Sequence, residues 1–543
     1  MSTLSEWASR ERAARPGLTH SVDPNRPPLS EGLALAGITF ALSLLLGLHM
    51  VLQLHIVPDD TIARVANAYY VLFSREPHLG AIGFVWNPLP SLLELPLTVL
   101  RPLWPPLVAD GFAGNIVSAG FAALGALYMN RILARIGLGR LWRLLFSALY
   151  LLNPLILFYG ANGMSDAMMV ATFLAAWEGA IAYLQHRRLG SLAAAALWLA
   201  VAFLIRYEAV PFAFMLAGGM LLGLYWQRRP APEIEGALTI FLTPIVYVGA
   251  WWVYMNWLIM KNPLYFMNSA YGNASSVGTG SYYYFGLAGV THHLLAAFLY
   301  AAQFALLFWP VVPGAIGALL LMRRKGRSSL GPLLLLGTVA VAGLQMLMLY
   351  LGKSAGWDRF FITYVPGGFL LIAFLFSHVS VHRRAVAGIA AALVLLVGDV
   401  GTLVALQNPI LGHGDSVYIA SVLSSQPISS GNGQFRTIAS YIDAHPRLVV
   451  LLDTFSLWGV VLASRNPKQF VITSDLNFQS LLHYPGGRVS SFLVPQPKGI
   501  AQLDAINRAY PKLWSGSVPW ARLVHQFPGP SHVRLFRITP NAP

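Results

Sequence analysis

Two adjacent carboxylates, Asp59 and Asp60, stand directly after the first long apolar run of the chain. At the edge of a bilayer such a pair can deprotonate a hydroxyl or bind a divalent cation; aspartate is equally a favoured cap for a following helix, here one starting near Thr61. Neighbouring residues do not share a helix face, so only one of the two would point at a reacting group. The matching cations are Arg206, Lys353 and Arg359, each near the end of another apolar run. A guanidinium fork fits phosphate oxygens, and a lipid phosphate is the natural anion at a membrane surface. The plainer role is headgroup anchoring, or pairing with Glu208 and Asp358; it suits Lys353, whereas Arg206 suits a phosphate. His292 and His293 can meet a phosphate or a metal, but without further ligands at metal spacing a helix-start role is simpler. Tyr282, Tyr283 and Tyr284 read as an interfacial aromatic belt, and aromatic faces also stack on sugars. Asp166 opens a span behind the turn Tyr159–Ser165. Glu178, deep in that span, calls for a polar neighbour, and Asp453 at a strand end reads as structural.

These residues need a bilayer to position them. The 543 residues are 56% hydrophobic and 10% charged, against about 25% charged in water-soluble domains, which leaves too little polar surface to cover a globule. Stretches such as Leu33–Val51, Gly331–Tyr350 and Ala385–Leu406 each come near the roughly 20 residues that cross a hydrocarbon layer. The net charge of +15 lies in short arginine clusters between apolar runs, the positive-inside pattern rather than a nucleic-acid groove. With no cysteine there are no disulfides, thiolate nucleophiles or thiolate metal ligands. Residues 1–30, with Arg10, Arg12, Arg15 and Arg26, read as a polar cytoplasmic tail. The apolar run behind it lacks a small-residue cleavage site and reads as a retained span.

Spans fit near 32–53, 111–130, 141–158, 164–185, 190–206, 208–226, 236–259, 291–322, 330–351, 360–380 and 385–406, about eleven in all. The run 84–107 is also apolar, but Pro88, Pro90, Pro96, Pro102, Pro105 and Pro106 make it a poor straight helix, since proline removes a backbone donor and clashes with the preceding turn. If it does not cross, the clusters Arg131/Arg135/Arg140/Arg143, Arg187/Arg188, Arg228/Arg229, Arg323/Arg324/Lys325/Arg327 and Arg383/Arg384 all face the cytoplasm; if it crosses, all of them flip outward. The expectation is therefore a polytopic α-helical membrane protein with a transmembrane domain over 31–406 and an outer loop 55–107 of interfacial or re-entrant helices. Residues 407–543 follow as a small extracytoplasmic α/β domain. Its strands are expected near Leu448–Leu452, Phe470–Thr473 and Val533–Ile538, with helices near Ser456–Ser464 and Ile500–Tyr510. No internal repeat of the kind common in transporters is evident.

An acidic pair leaving the first span, a following helix with Arg64, Asn67 and Tyr69, and then Trp86-Asn87-Pro88-Leu89 together resemble the C superfamily of integral membrane glycosyltransferases (GT-C). Its members include protein O-mannosyltransferases, aminoarabinose transferases and actinobacterial arabinofuranosyltransferases. Asn153-Pro154 before the turn with Ser165-Asp166, the Arg206-Tyr207-Glu208 turn and Asp358-Arg359-Phe360-Phe361 extend the likeness, which is best over residues 50–210. The resemblance implies an inverting transfer of a sugar from a polyprenyl-phosphate donor to a hydroxyl of a glycan, lipid or protein at the outer face of the cell membrane. Asp59 matches the catalytic aspartate, with Asp60 beside it. Arg206, Arg359, Lys353 and His292 would hold the donor phosphate, and Asp166, Glu208, Tyr69 and Trp86 would touch sugar or acceptor. Relatives carry a further acidic residue late in the first loop, where this chain offers only Glu76 and Glu94, which puts a divalent cation in doubt. Membrane lipids are the surrounding partners, and nucleic acid is not one. The competing readings are a transporter or flippase of lipid-linked intermediates, and an outer-leaflet glycan polymerase or ligase.

Overall fold

A computed structural model of the chain describes residues 27–279, 287–324, 328–429, 432–539 and 542; the tail arginines, Tyr282–Tyr284, Lys325 and Arg327 lie outside them. Long apolar runs make the first layer of the architecture. Helix α1 (Leu29–Leu52) leads to α2 (Asp59–Phe73) and α3 (Leu89–Thr98), then α4 (Phe112–Ile136), α5 (Arg140–Leu152), α6 (Pro154–Ala161) and α7 (Asp166–His186). Helices α8 (Leu189–Ile205), α9 (Ala209–Trp226), α10 (Ala231–Met260), α11 (Leu294–Gln303), α12 (Val311–Arg324), α13 (Gly331–Tyr350), α14 (Tyr364–Ser377) and α15 (Arg384–Gln407) complete the bundle.

Among the described residues, eight helical segments are long and apolar enough to cross a membrane, and up to ten if each of two bent pairs counts as one span. The expected count of about eleven requires α8 to cross as well. The run 141–158 is broken at Asn153-Pro154, where α5 and α6 meet at 59°. Asn153 caps α6 by accepting from the amides of Leu155 (3.1 Å) and Ile156 (3.3 Å), and Pro154 fits the first helical position, where no amide is needed. The run 291–322 is not one straight span either: the segments on either side of Trp309-Pro310 are bent by 100°, as expected where proline withholds a donor. Helix α8 has 17 residues, the lower end of the lengths that cross a hydrocarbon layer. Between residues 55 and 107 the helices of 15 and 10 residues are too short to cross.

Lipid offers the bundle no hydrophobic drive between helices, so close packing of small residues carries the association. Gly219 of α9 lies against α13 so tightly that a Cβ there would stand 2.5 Å from the Leu333 Cα. Gly219→Ala is expected to cost about 1–3 kcal/mol through overpacking, read as a lower melting temperature in detergent. The neighbouring Gly218→Ala, whose nearest new contact is 3.7 Å away, serves as the neutral control. Equal melting temperatures for both would refute the packing argument. On the outer flank, Val246, Tyr247, Tyr254 and Trp257 of α10 are exposed, as a lipid-facing surface requires.

After α15 the chain forms α16 (Asp415–Ser424), which packs back on α15, and then a five-stranded sheet. Strands β1 (Val450–Leu452), β2 (Phe470–Val471), β3 (Ser491–Val494), β4 (Ala521–Phe527) and β5 (Val533–Ile538) lie in the order β2-β1-β3-β5-β4. Strand β1 runs parallel to β2 and β3, and β5 is antiparallel to β3 and β4. Helices α17 (Asn432–Asp443), α18 (Thr454–Ala463), α19 (Phe478–His483) and α20 (Ala505–Ala509) cover the sheet. Successive strand residues point to opposite faces. Leu451, Phe492 and Phe536 therefore pack with Phe478, Leu481 and Ile506, while Val450, Leu452, Leu493 and Leu535 share one core with Ile62, Ala66 and Tyr69 of α2. Burial on both faces explains why β1 is an unbroken apolar run.

Candidate active site

Helix α2 carries the acidic pair and shows how it is aimed. Pro58 precedes it in extended conformation, and neither aspartate caps: Asp59 and Asp60 are the first two helical residues, in the turn where the helix dipole favours negative charge. Asp59, Asp60, Ala63, Arg64, Asn67 and Tyr70 form one stripe at helical spacing, and all line a single cavity of ≈ 1740 Å³. Pockets for one small ligand run to about 300–1,000 Å³, so this one has room for two substrates. The start of α2 is fixed by Thr61, whose hydroxyl donates to the Asn162 carbonyl at 2.9 Å. Gly163 beside it has φ +81°, and a Cβ there would stand 2.3 Å from the Thr61 methyl, so only glycine permits the approach.

Three arginines converge on the same cavity. Arg359 forms an ion pair with Asp60 at 2.8 Å, and its guanidinium lies 4.0 Å from the centre of the Trp357 ring. Arg206 is held from behind by buried Asp166 at 2.9 Å and from the side by Glu208 at 2.7 Å. Arg64 lies over the Trp86 ring at 4.9 Å, and its Nε and Nη1 are buried without a hydrogen-bond acceptor among the described residues. The Trp86 segment is pinned by Asn87, which donates to the Phe203 carbonyl at 2.6 Å, and by the Tyr207 hydroxyl, which donates to the Val85 carbonyl at 3.2 Å.

The two aspartates are driven apart in acidity. Desolvation by the surrounding protein, reinforced by the charge of Asp60, pushes the Asp59 carboxyl up to about 6, although the side chain opens onto the cavity. Burial alone would raise Asp60 too, yet Arg359, Arg64 and Arg206 outweigh it and hold this carboxyl below its usual range. Glu208 is held low in the same way, Arg206 outweighing burial. Of the two, Asp59 titrates nearer neutrality and Asp60 is the stronger acid.

Glu94 on α3 is fully buried, and neither of its carboxylate oxygens has a hydrogen-bond partner among the described residues. Burial pushes this carboxyl well above its ordinary value, and Arg64 offsets only part of that, which favours the protonated form. Glu94→Gln, which keeps the shape of a protonated carboxyl, is expected to leave the melting temperature near wild type. Glu94→Ala should cost about 2 kcal/mol or more through the cavity it opens. An equal loss in both would show that the carboxyl is ionised.

Of the residues singled out from sequence, Asp59, Asp60, Arg206, Glu208, Arg359, Lys353 and Trp86 line the cavity. Asp166 does not: it is buried behind Arg206 and orients it. Tyr69 turns away from the cavity, stacking on Phe73 at 4.8 Å and accepting a hydrogen bond from Arg101, because it sits on the face of α2 opposite the stripe. His292 is exposed with φ +62°, its ring against Tyr350, and it is not part of the lining. Glu178 meets Arg135, and Asp453 accepts from the Phe455 and Ala505 amides. Arg64, quoted from the sequence only as part of the motif after the acidic pair and given no role there, also lines the cavity, one turn beyond Asp60. No three His, Asp or Glu side chains among the described residues converge as a metal ligand set, and Asp60 is engaged by Arg359.

No known family profile matches the chain, and no curated protein sequence does. Among solved structures it is similar to the arabinofuranosyltransferase AftD from Mycobacteria, with a TM-score of 0.42 and 14% identity over 93% of this chain. That alignment covers 41% of AftD, so this chain spans less than half of its length.

Proposed function

We propose that this membrane protein is an inverting glycosyltransferase that moves a sugar from a polyprenyl-phosphate donor to an acceptor hydroxyl. The observation that carries the reading is the meeting, in one cavity, of a base poised near pH 6 with three guanidiniums set for an anion. The Asp59 carboxylate removes the proton of the acceptor hydroxyl as its oxygen bonds to the anomeric carbon from the face opposite the phosphate. The bond from that carbon to the phosphate oxygen breaks, and the polyprenyl phosphate departs with the electron pair. Arg359, Arg206 and Arg64 stabilise the charge that develops there. Fixed guanidiniums are effective because the ion pairs around them need no reorganisation during the step.

A lipid-linked donor is favoured over a soluble one by the composition of the cavity. Val210 and Pro211 of α9, Gly249 and Val253 of α10, and Leu344 and Met348 of α13 line it below the charged residues, which suits a prenyl chain entering from the bilayer. The outer face is favoured by the distribution of charge. Arg188 and Arg206 flank opposite ends of α8, about 25 Å apart along its axis. At the Arg188 end, Glu233 pairs with Arg187 and Arg229; such arginine clusters mark the cytoplasmic side, so the Arg206 end opens outward. The test is to incubate the purified protein with a panel of polyprenyl-phosphate sugars and candidate acceptors, and to look for a transferred residue by mass spectrometry. Movement of an intact lipid-linked sugar across sealed vesicles, with no covalent product from any donor, would instead support a transporter.

A further inference from the structure

The cavity extends past the aspartates to a far wall that belongs to the C-terminal domain. Phe455 and Trp458 of α18, Asp475 and Gln479 at α19, Gln496 beyond β3 and His532 before β5 all line it. Aromatic rings beside a carboxylate and carboxamides suit a carbohydrate: the ring faces pack on its apolar C–H surfaces, while the polar groups take its hydroxyls. His532 is exposed at the rim with φ +41°, a backbone conformation costly for a residue with a side chain and typical of functional positions. Tyr271 closes one side, its ring 5.0 Å from Phe455 and its hydroxyl donating to Asp453 at 3.0 Å.

The distance from this wall to the aspartates is set by α2 itself. The Tyr70 hydroxyl donates to the Trp458 carbonyl at 3.4 Å, and Tyr70 lies three turns from Asp59, roughly 16 Å along the helix axis. A single sugar at Asp59 fills only part of a cavity of this size, whereas an oligosaccharide can run along it toward Trp458. We infer that the wall is an acceptor subsite for an extended carbohydrate whose terminal hydroxyl meets Asp59 while sugars several units back lie across Trp458, Asp475 and Gln479. The inference rests on the reading of the cavity as a site of glycosyl transfer.

The experiment compares reducing-end-tagged acceptors of one to five units of one sugar. With the wild-type protein the acceptor KM should fall about tenfold or more from monomer to pentamer, the equivalent of one good contact. Trp458→Ala and Gln479→Ala should bring the ratio of the two KM values close to one, and Trp458→Phe should retain most of the gain. Gln479 is exposed, so its variant stays informative even if Trp458→Ala fails to fold. An unchanged length dependence in Gln479→Ala and Trp458→Ala would overturn the subsite, as would preference for a peptide acceptor over every glycan. Failure of the wild type to transfer any sugar would count against the transfer reading instead. In that case quenching of tryptophan fluorescence by the untransferred pentasaccharide, present in wild type and lost in Gln479→Ala, still supports the subsite, and its absence from wild type overturns it.

Discussion

Asp59→Asn is expected to lower the turnover number by about 10²–10⁴-fold, the usual contribution of a positioned general base, while the protein stays folded and still binds donor. The asparagine keeps the shape and removes only the proton acceptor. The wild-type rate should also carry an acidic limb. Because the Asp59 carboxyl titrates at about 6, the base form is present above that value and is lost as pH falls through it. Asp60, held below its usual range by Arg359, stays ionised over the same window and adds no second limb. Removing Asp59 should flatten the profile together with the rate. A variant with full activity and an unaltered limb would exclude Asp59 as the base and move the assignment elsewhere in the cavity.

Arg359→Ala should cost about 10²–10³-fold, mostly in kcat, as removal of a preorganised donor to a developing charge does. The substitution has a second effect. It strips Asp60 of its 2.8 Å partner and leaves a half-buried carboxylate with only Arg64 and Arg206 to offset its charge, so part of the loss comes from the poorly compensated carboxylate rather than from the missing clamp. The double variant Asp60→Asn with Arg359→Ala separates the two, because pairing partners are not additive. Arg359→Lys keeps the charge but lacks the planar fork and the stack on Trp357, so it should rescue only part of the rate. An increase in KM at constant kcat would instead mean that Arg359 holds the ground state and transition state equally.

Hydropathy located each long apolar helix, because length and composition alone decide whether a run can cross a bilayer. The bends were less legible. Asn153-Pro154 and Trp309-Pro310 carried a local signal, but continuous hydropathy across them masked it. In the C-terminal domain, β1, β2 and β5 were legible as short strand patterns. Strand β4 did not: its interior residues are mostly exposed, which hides the apolar pattern. Strand β3 is only four residues long. In the cavity, Asp59, Asp60, Arg206 and Arg359 were legible from residue type and position at the ends of spans. The faces of α2 that Tyr69 and Arg64 occupy were not legible, for one reason. Which side of α2 faces the cavity depends on the partner across it, and that partner is a sheet nearly four hundred residues further along the chain.

The sharing of one apolar core between α2 and the underside of the sheet has a practical corollary for dissecting the molecule. Arg101 donates to the Leu462 and Ser464 carbonyls, and Arg436 pairs with Asp110, so the seam is pinned at both flanks. Cutting the chain after α15 would strip the aspartate-bearing helix of its backing and bare the greasy undersurface of the excised fragment. Neither half is then a fair specimen of the whole: one would hold its acid pair on a wobbling mount, and the other would clump in water.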